Sequence, residues 1–180
     1  MKRLLVGTLF AAALTACGQG RAIFNVDAYS FMSGAGRDTI HYTIPPGGGT
    51  ASTVQQINLP PGFGKSIVDS VRITKGYAYL FNTGGTGSIG FALFFAADSA
   101  STYTTPAALN IAATAVNGVQ GPDSVAITGD LSSTVNSLVT QQTLWIRIAA
   151  TGTNGGVTPV TGKGVLKALV IRVVVEDRIF

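Results

Sequence analysis

Apolar and polar residues alternate with a period of two through most of the sequence after residue 21. Such alternation places successive side chains on opposite faces of a β-strand. Clusters of Gly, Pro, Asn and Asp separate the alternating segments and favour turns between them. The apolar positions are Phe24, Val26 and Ala28; Ile40, Tyr42 and Ile44; Val71 and Ile73; Ile89, Phe91, Leu93 and Phe95; Leu144, Ile146 and Ile148; and Leu169, Ile171, Val173 and Val175. The pattern predicts many short strands, each with one apolar face.

Strands of this kind predict an all-β fold: an antiparallel, jelly-roll-like β-sandwich with one short helix. No internal repeat of about 20 to 50 residues is visible, which disfavours a propeller or a solenoid. Weaker strands are expected near residues 53–59, 109–116 and 124–128, and the last strand is expected over residues 165–179.

The one predicted helix covers residues 130–140. Leu131, Val135 and Leu138 recur there at helical spacing, and Asp130 precedes them as a candidate N-cap. A second helix starting near residue 105 competes with the strand predicted at 109–116.

Composition excludes several classes of site. One His and one Cys cannot form a multi-histidine metal site, a zinc knuckle or an internal disulfide. The formal net charge of +4 falls to +2 when the first sixteen residues, with Lys2 and Arg3, are removed. A surplus that small, spread along the chain, argues against a nucleic-acid groove. Charged residues make up only 11%, which favours a protein that packs against neighbours or a surface layer, the alternative being an ordinary secreted β-domain.

The N-terminus has the layout of a secretory signal. Lys2 and Arg3 form a positive start, residues 4–14 are mostly apolar, and small residues lead to Cys17. The apolar stretch is too short to span a bilayer stably.

The residues that end this signal, Leu14-Thr15-Ala16-Cys17, resemble the lipobox of bacterial lipoproteins. The resemblance is confined to the first 17 residues. It implies that the Cys17 thiol receives a diacylglycerol, that the signal is cut before this residue, and that the new amine is often acylated. Two or three acyl chains anchor a protein firmly, because each buried methylene contributes about 0.8 kcal/mol.

The predicted organisation is therefore a signal peptide over residues 1–16, an acylated Cys with a short tether over 17–21, and one sandwich domain over 22–180. In Gram-negative lipoproteins an Asp after the Cys is associated with retention in the inner membrane. Gly18 at this position implies the outer membrane, in a bacterium with two membranes. The alternative is a plain secretory signal, cleaved near Ala16 or Gly18.

Two motif fragments are weak as enzyme signals. Residues 61–66 end like a phosphate-binding loop, but Leu59 stands where that motif requires Gly, and a turn is favoured. Ser88 half-matches a nucleophile elbow, but Thr86 replaces its first Gly. His41, the only available base, is expected on the outer face of a strand. A hydrolase remains the last alternative, and no catalytic residue is assigned.

Carboxylates and oxygen-rich loops give no stronger signal. A pair of carboxylates could serve glycoside hydrolysis, yet most Asp residues lie at turns or strand ends, where backbone reasons favour them. Loops at Asp98 and Asp123 are a weak option for a structural Ca²⁺, since no spacing resembles a calcium loop. We predict no metal and no cofactor.

Trp145 and Arg147 are the candidate ligand-binding residues. Because Leu144 and Ile146 point inwards by alternation, Trp145 and Arg147 should share the outer face. An outward Trp beside Arg can stack on a sugar ring or on a partner's side chain. The alternative is that this face is covered, or that Arg147 lies over the indole.

Three aromatic residues that follow Gly76 pose the same choice. Tyr77, Tyr79 and Phe81 alternate with Ala78 and other small or apolar residues, and we expect them in the core.

The sequence as a whole predicts a cell-envelope lipoprotein with a non-enzymatic structural or interaction role. A membrane partner is expected through Cys17, together with a protein or carbohydrate partner or self-association, and no nucleic acid. A carbohydrate- or ligand-binding module is the alternative role.

Overall fold

The computed structural model describes residues 20–33, 36–58, 67–141 and 143–177. The predicted signal peptide, Cys17 and the first residues of the tether lie outside the described residues. So does the tract at 61–66 that resembles part of a phosphate-binding loop.

The described chain is built mainly of strands, with three short helical segments between them. The strands are β1 (Gly20–Asp27), β2 (Thr39–Ile44), β3 (Gly49–Asn58), β4 (Ile67–Gly84), β5 (Thr86–Ala96), β6 (Leu109–Asn117), β7 (Gln120–Ala126), β8 (Gly129–Asp130), β9 (Thr143–Asn154) and β10 (Val160–Asp177). The helices are α1 (Ala28–Met32) and α2 (Ser132–Val135), and one turn of 3-10 helix covers Ala100–Tyr103.

The strands form two sheets. In sheet A, β1 and β2 pair with the same side of β10, β10 pairs with β4, and β4 pairs with β7 and β8. Sheet B has the order β3-β9-β5-β6. Every pairing is antiparallel.

The pairing pattern is that of a jelly roll. Strand β2 pairs with β10, β3 with β9, β4 with β7 and β5 with β6. The pairs are nested, so the chain behaves as one long hairpin rolled across two sheets. This confirms the predicted antiparallel, jelly-roll-like sandwich.

The core lies between the sheets and follows the predicted alternation. Ile44, Ile89 and Val71 are fully buried, and most of the inward positions on β9 and β10 are buried. Phe24 of β1 is an exception, because it is 44% exposed although the alternation predicted it on the apolar face. Strand β10 is central, with neighbours along both sides, so it offers no open edge for pairing.

Helical segments differ from the prediction in place and length. Ala28 ends the alternation of β1 and begins α1, which packs on β10. Helix α2 is limited to Ser132–Val135, and hydrogen-bonded turns follow it to Gln141. The segment is rich in Ser, Thr and Asn, which compete for backbone hydrogen bonds and weaken helices. Asp130 belongs to β8, but its carboxylate accepts a hydrogen bond from the Ser132 amide at 2.9 Å.

No helix forms at residues 105–109. The chain reaches β6 at Leu109 without one, so the competing strand prediction is confirmed.

Candidate binding surfaces

Trp145 and Arg147 lie on the outer side of sheet B. Leu144 and Ile146 are buried between the sheets, as the alternation predicts. Trp145 is half-buried, and its backbone lies between Gln56 of β3 and Ala96 of β5. Its indole is therefore on an outer face that is partly covered.

Arg147 is only 8% exposed. Its guanidinium carbon lies 3.6 Å from the ring centroid of Phe94 and 4.8 Å from that of Tyr103. The Nε atom donates a hydrogen bond to the carbonyl of Thr102 at 2.9 Å. We call Phe94, Arg147 and Tyr103 the Arg147 stack. The guanidinium of Arg147 therefore interacts with groups of the protein itself. Tyr103 is 60% exposed and presents an aromatic ring to solvent.

The loop over residues 97–108 holds Tyr103 in place. The Asp98 carboxylate accepts hydrogen bonds from the amide and the hydroxyl of Ser101, at 2.8 and 2.6 Å. These bonds lower the pKa of Asp98 below its ordinary value. Thr102 is fully buried, and its hydroxyl donates to the carbonyl of Ser99 at 2.6 Å. The cover over Arg147 is thus fixed by its own hydrogen bonds.

Tyr77, Tyr79 and Phe81 lie on the outer side of sheet A, and the expectation that they belong to the core is wrong. Leu80 and Asn82 point inwards instead and are buried. We call the three outward rings the aromatic ladder.

The positions of β4 that point into the core change partway along the strand, because β4 slips in register against β10. Shifts occur between Val170 and Ile171 and between Leu166 and Ala168. Gly76 lies at this irregularity, where an added Cβ would come 2.5 Å from the carbonyl oxygen of Ile127. The first shift leaves an extra residue, Thr74, in β4, and this moves the side chains that follow it to the other face.

The ladder rings meet edge to face. The centroids of Tyr77 and Tyr79 are 5.8 Å apart, and those of Tyr79 and Phe81 are 6.5 Å apart. Lys163 of β10 places its Nζ 5.3 Å from the Phe81 centroid. The surface thus combines aromatic rings with a cation, and within the described part of the chain no loop covers it as the 97–108 loop covers Arg147.

Tyr42 supports the ladder from the inner side of sheet A. Its buried hydroxyl shares its one proton between the Phe81 carbonyl, at 3.1 Å, and Asn82 Oδ1, at 3.2 Å. Burial raises the pKa of Tyr42 to about 12. The strand that carries the ladder is therefore tied to the core by a neutral phenol.

Ser88 and His41 lie on opposite outer surfaces of the sandwich. Ser88 Oγ is 2.8 Å from Thr153 Oγ1 on sheet B. His41 is exposed on sheet A, where it pairs with Lys163. The structure does not bring these two candidates for catalysis together.

The oxygen-rich loops are engaged in hydrogen bonds within the protein. Asp98 binds Ser101, and the carboxylate of Asp123 accepts a bond from Gln120 at 2.9 Å. In the part of the chain that the structure describes, no cluster of three or more His, Cys, Asp or Glu residues could hold a metal.

Sequence reasoning missed Tyr103 and placed the ladder incorrectly. Tyr103 lies in a loop, where no alternation indicates a face. Around the ladder, Ala78 and Leu80 are apolar too, so both faces of the strand look apolar in the sequence.

Comparison with known proteins identifies no family. No family model and no curated protein matches the chain. Within the described residues, no helix is long and apolar enough to cross a membrane.

Solved structures give weak similarities. A structure of infectious bursal disease virus, Gx strain, has a TM-score of 0.41 at 12% identity and covers 88% of this chain. The match spans about a third of that viral chain, 36%. TmCBM61 in complex with beta-1,4-galactotriose has a TM-score of 0.32 at 11% identity, covering 89% of this chain and 88% of its own. With TM-scores below 0.5, we assign no function from these similarities.

Proposed function

We propose that this protein is a lipid-anchored component of the bacterial cell envelope whose sandwich is a non-enzymatic interaction module. One observation carries the proposal: the only Cys of the chain, Cys17, ends the lipobox-like segment, and the first described strand begins three residues later at Gly20. Gly18 favours the outer membrane.

The short spacing supports a role at the membrane surface. Three residues reach about 10 Å at about 3.3 Å each. A sandwich on such a tether stays beside the lipid headgroups, where its outer faces can meet envelope partners. Strand β1 also begins inside the segment predicted as tether, which shortens the free linker.

Mass spectrometry of the native N-terminus tests the anchor. We expect the mature chain to begin at a diacylated or triacylated Cys17 and to take up an alkyne-tagged fatty acid. Cys17→Ser should abolish labelling, whereas Thr15→Ser, which keeps a small residue in the lipobox, should preserve it. An unmodified thiol, or a chain that begins elsewhere, would overturn the proposal.

A second candidate is carbohydrate binding on the outer side of sheet B. Tyr103 favours it, because this exposed ring is held rigidly over Arg147. Trp145 lies two residues from Arg147 on the same face. Rigid aromatic rings stack on the apolar faces of sugars at low entropic cost.

Binding of the mature domain to envelope glycans tests this second role. Tyr103→Ala and Trp145→Phe should each weaken binding several-fold. Tyr79→Ala, on the opposite sheet, is the matched control and should leave binding unchanged. Equal loss in all three variants, or no binding by the parent domain, would remove the carbohydrate hypothesis.

A further inference from the structure

Most cations of the described residues lie on the outer side of sheet A, rather than being spread evenly over the sandwich as the sequence suggested. Arg21 forms ion pairs with Asp69 and Glu176, and Arg72 pairs with Asp130. Among the residues that the structure describes, four cations of the two central strands, β4 and β10, form no ion pair with an acidic side chain. They are Lys75, Lys163, Lys167 and Arg172.

Aromatic and aliphatic side chains share this surface. The aromatic ladder lies beside Lys163, and Val165 pairs with Tyr79 on the neighbouring strand. At the end of the sheet nearest the tether, Ile23 is 53% exposed and Ile67 is 47% exposed. A surface of exposed cations and Ile with partly exposed Tyr and Phe rings has the composition of a membrane-interface surface.

We propose that the outer face of sheet A rests on a bilayer that contains anionic headgroups. The chain leaves the sandwich at Gly20 of β1, an edge strand of this same sheet, so the predicted anchor is adjacent to the face. Unmatched lysines near an anionic surface each add attraction, and tyrosine rings prefer the headgroup level. This inference rests on the proposed lipid anchor for its orientation.

The arrangement assigns different roles to the two outer faces. With sheet A on the membrane, sheet B is directed away from the lipid. Tyr103 and Trp145 then face the space where a partner or glycan would arrive.

Vesicle binding of the mature chain carrying Cys17→Ser tests the face without an acyl group. We expect binding to phosphatidylcholine vesicles with 30% phosphatidylglycerol and much weaker binding to pure phosphatidylcholine. Lys163→Ser with Lys167→Ser should lower the partition coefficient by about 20-fold. Ser52→Glu with Asn110→Glu, which changes the net charge equally on sheet B, is the control and should have little effect.

Fluorescence quenching of the acylated chain tests the orientation. In vesicles that contain doxyl-labelled phospholipid, the native Trp145 should be quenched weakly. Tyr79→Trp in a Trp145→Phe background should be quenched at least about threefold more strongly. Equal quenching of the two positions would overturn the proposed orientation.

Vesicle binding and mass spectrometry of the N-terminus together distinguish failure of this inference from failure of the proposed anchor. An unmodified Cys17 together with charge-dependent vesicle binding would reject the anchor and keep the face. An acylated Cys17 without any effect of the lysine variant would reject the face and keep the anchor. Tighter binding to alginate or to a single-stranded oligonucleotide than to the vesicles, at equal charge concentration, would reassign the face to a soluble polyanion and overturn the lipid assignment.

Discussion

The two outer faces of the sandwich use the same residue types with different outcomes. On sheet B, Arg147 is packed between Phe94 and Tyr103 and is almost completely buried. On sheet A, Lys163 lies beside Phe81 and remains exposed. The loop over residues 97–108 makes the difference, because it covers one cation, and no loop among the described residues covers the other. A cation beside an aromatic ring becomes a structural element when covered and a surface element when open.

Removing the two cations should give the largest contrast. Arg147→Ala should lower the free energy of unfolding by about 3 kcal/mol, since it deletes a desolvated cation–π contact and leaves the Thr102 carbonyl without its donor. Lys163→Ala should lower the free energy of unfolding by at most about 0.5 kcal/mol. Urea unfolding of both variants measures the difference, and equal losses would show that the two faces do not differ in this way.

A methyl group at Gly76 should disturb the slip that turns the ladder outwards. Gly76→Ala places Cβ against the Ile127 carbonyl, so we expect a loss of about 2 kcal/mol in the free energy of unfolding. Gly155→Ala is the matched control, because no atom lies within 4 Å of an added Cβ there. Thermal unfolding of the pair checks the prediction. A Gly76→Ala variant that unfolds at the same temperature as the parent would contradict the close approach of the Ile127 carbonyl to this position.

Tyr42→Phe should lower the free energy of unfolding by about 1 kcal/mol at pH 8, since the Phe81 carbonyl and Asn82 Oδ1 lose the donor that they share. The stability that the neutral phenol contributes is fully present below pH 10 and is lost as pH rises towards 12, because burial raises its pKa from 10.0 to about 12. The difference in free energy of unfolding between the parent and Tyr42→Phe should therefore decrease from pH 10 to pH 12, which chemical denaturation at several pH values measures. A gap that stays constant to pH 12 would contradict the assignment.

The smallest effect is expected at Asp98, which holds the covering loop of sheet B. Its pKa is lowered by hydrogen bonds from Ser101, so its contribution to stability is present above pH 3.8 and is lost as pH falls through the lowered value. Asp98→Ala should be less stable than the parent at pH 6 and equal to it at low pH. Chemical denaturation at both pH values tests this, and a difference that persists in acid would point to packing instead.

How far the sequence predicts this molecule depends on the range of the interactions. The inward positions of β9 follow from alternation, which is local, and Leu144 and Ile146 are buried as predicted. The face of the ladder depends on a slip between β4 and β10, strands that are distant in sequence. The burial of Arg147 depends on a loop about 45 residues away. Alternation carries no information on either contact.

The binding roles depend on still longer-range information. The sequence placed Trp145 and Arg147 on one outer face, and the structure keeps them there, with Arg147 engaged in the Arg147 stack. Whether Trp145 binds a ligand stays a prediction. Tyr103 reaches the same surface from a loop, and only a folded chain brings it there.

The central position of β10 also constrains when the chain can fold. Strands β1, β2 and β4 all pair with this last strand, so sheet A cannot be completed until residues 160–177 have been synthesised. A nascent chain would keep three strands without their common neighbour until that segment has emerged. Sheet A would therefore be the later of the two sheets to gain its full set of strand partners, since the strands of sheet B all precede residue 155.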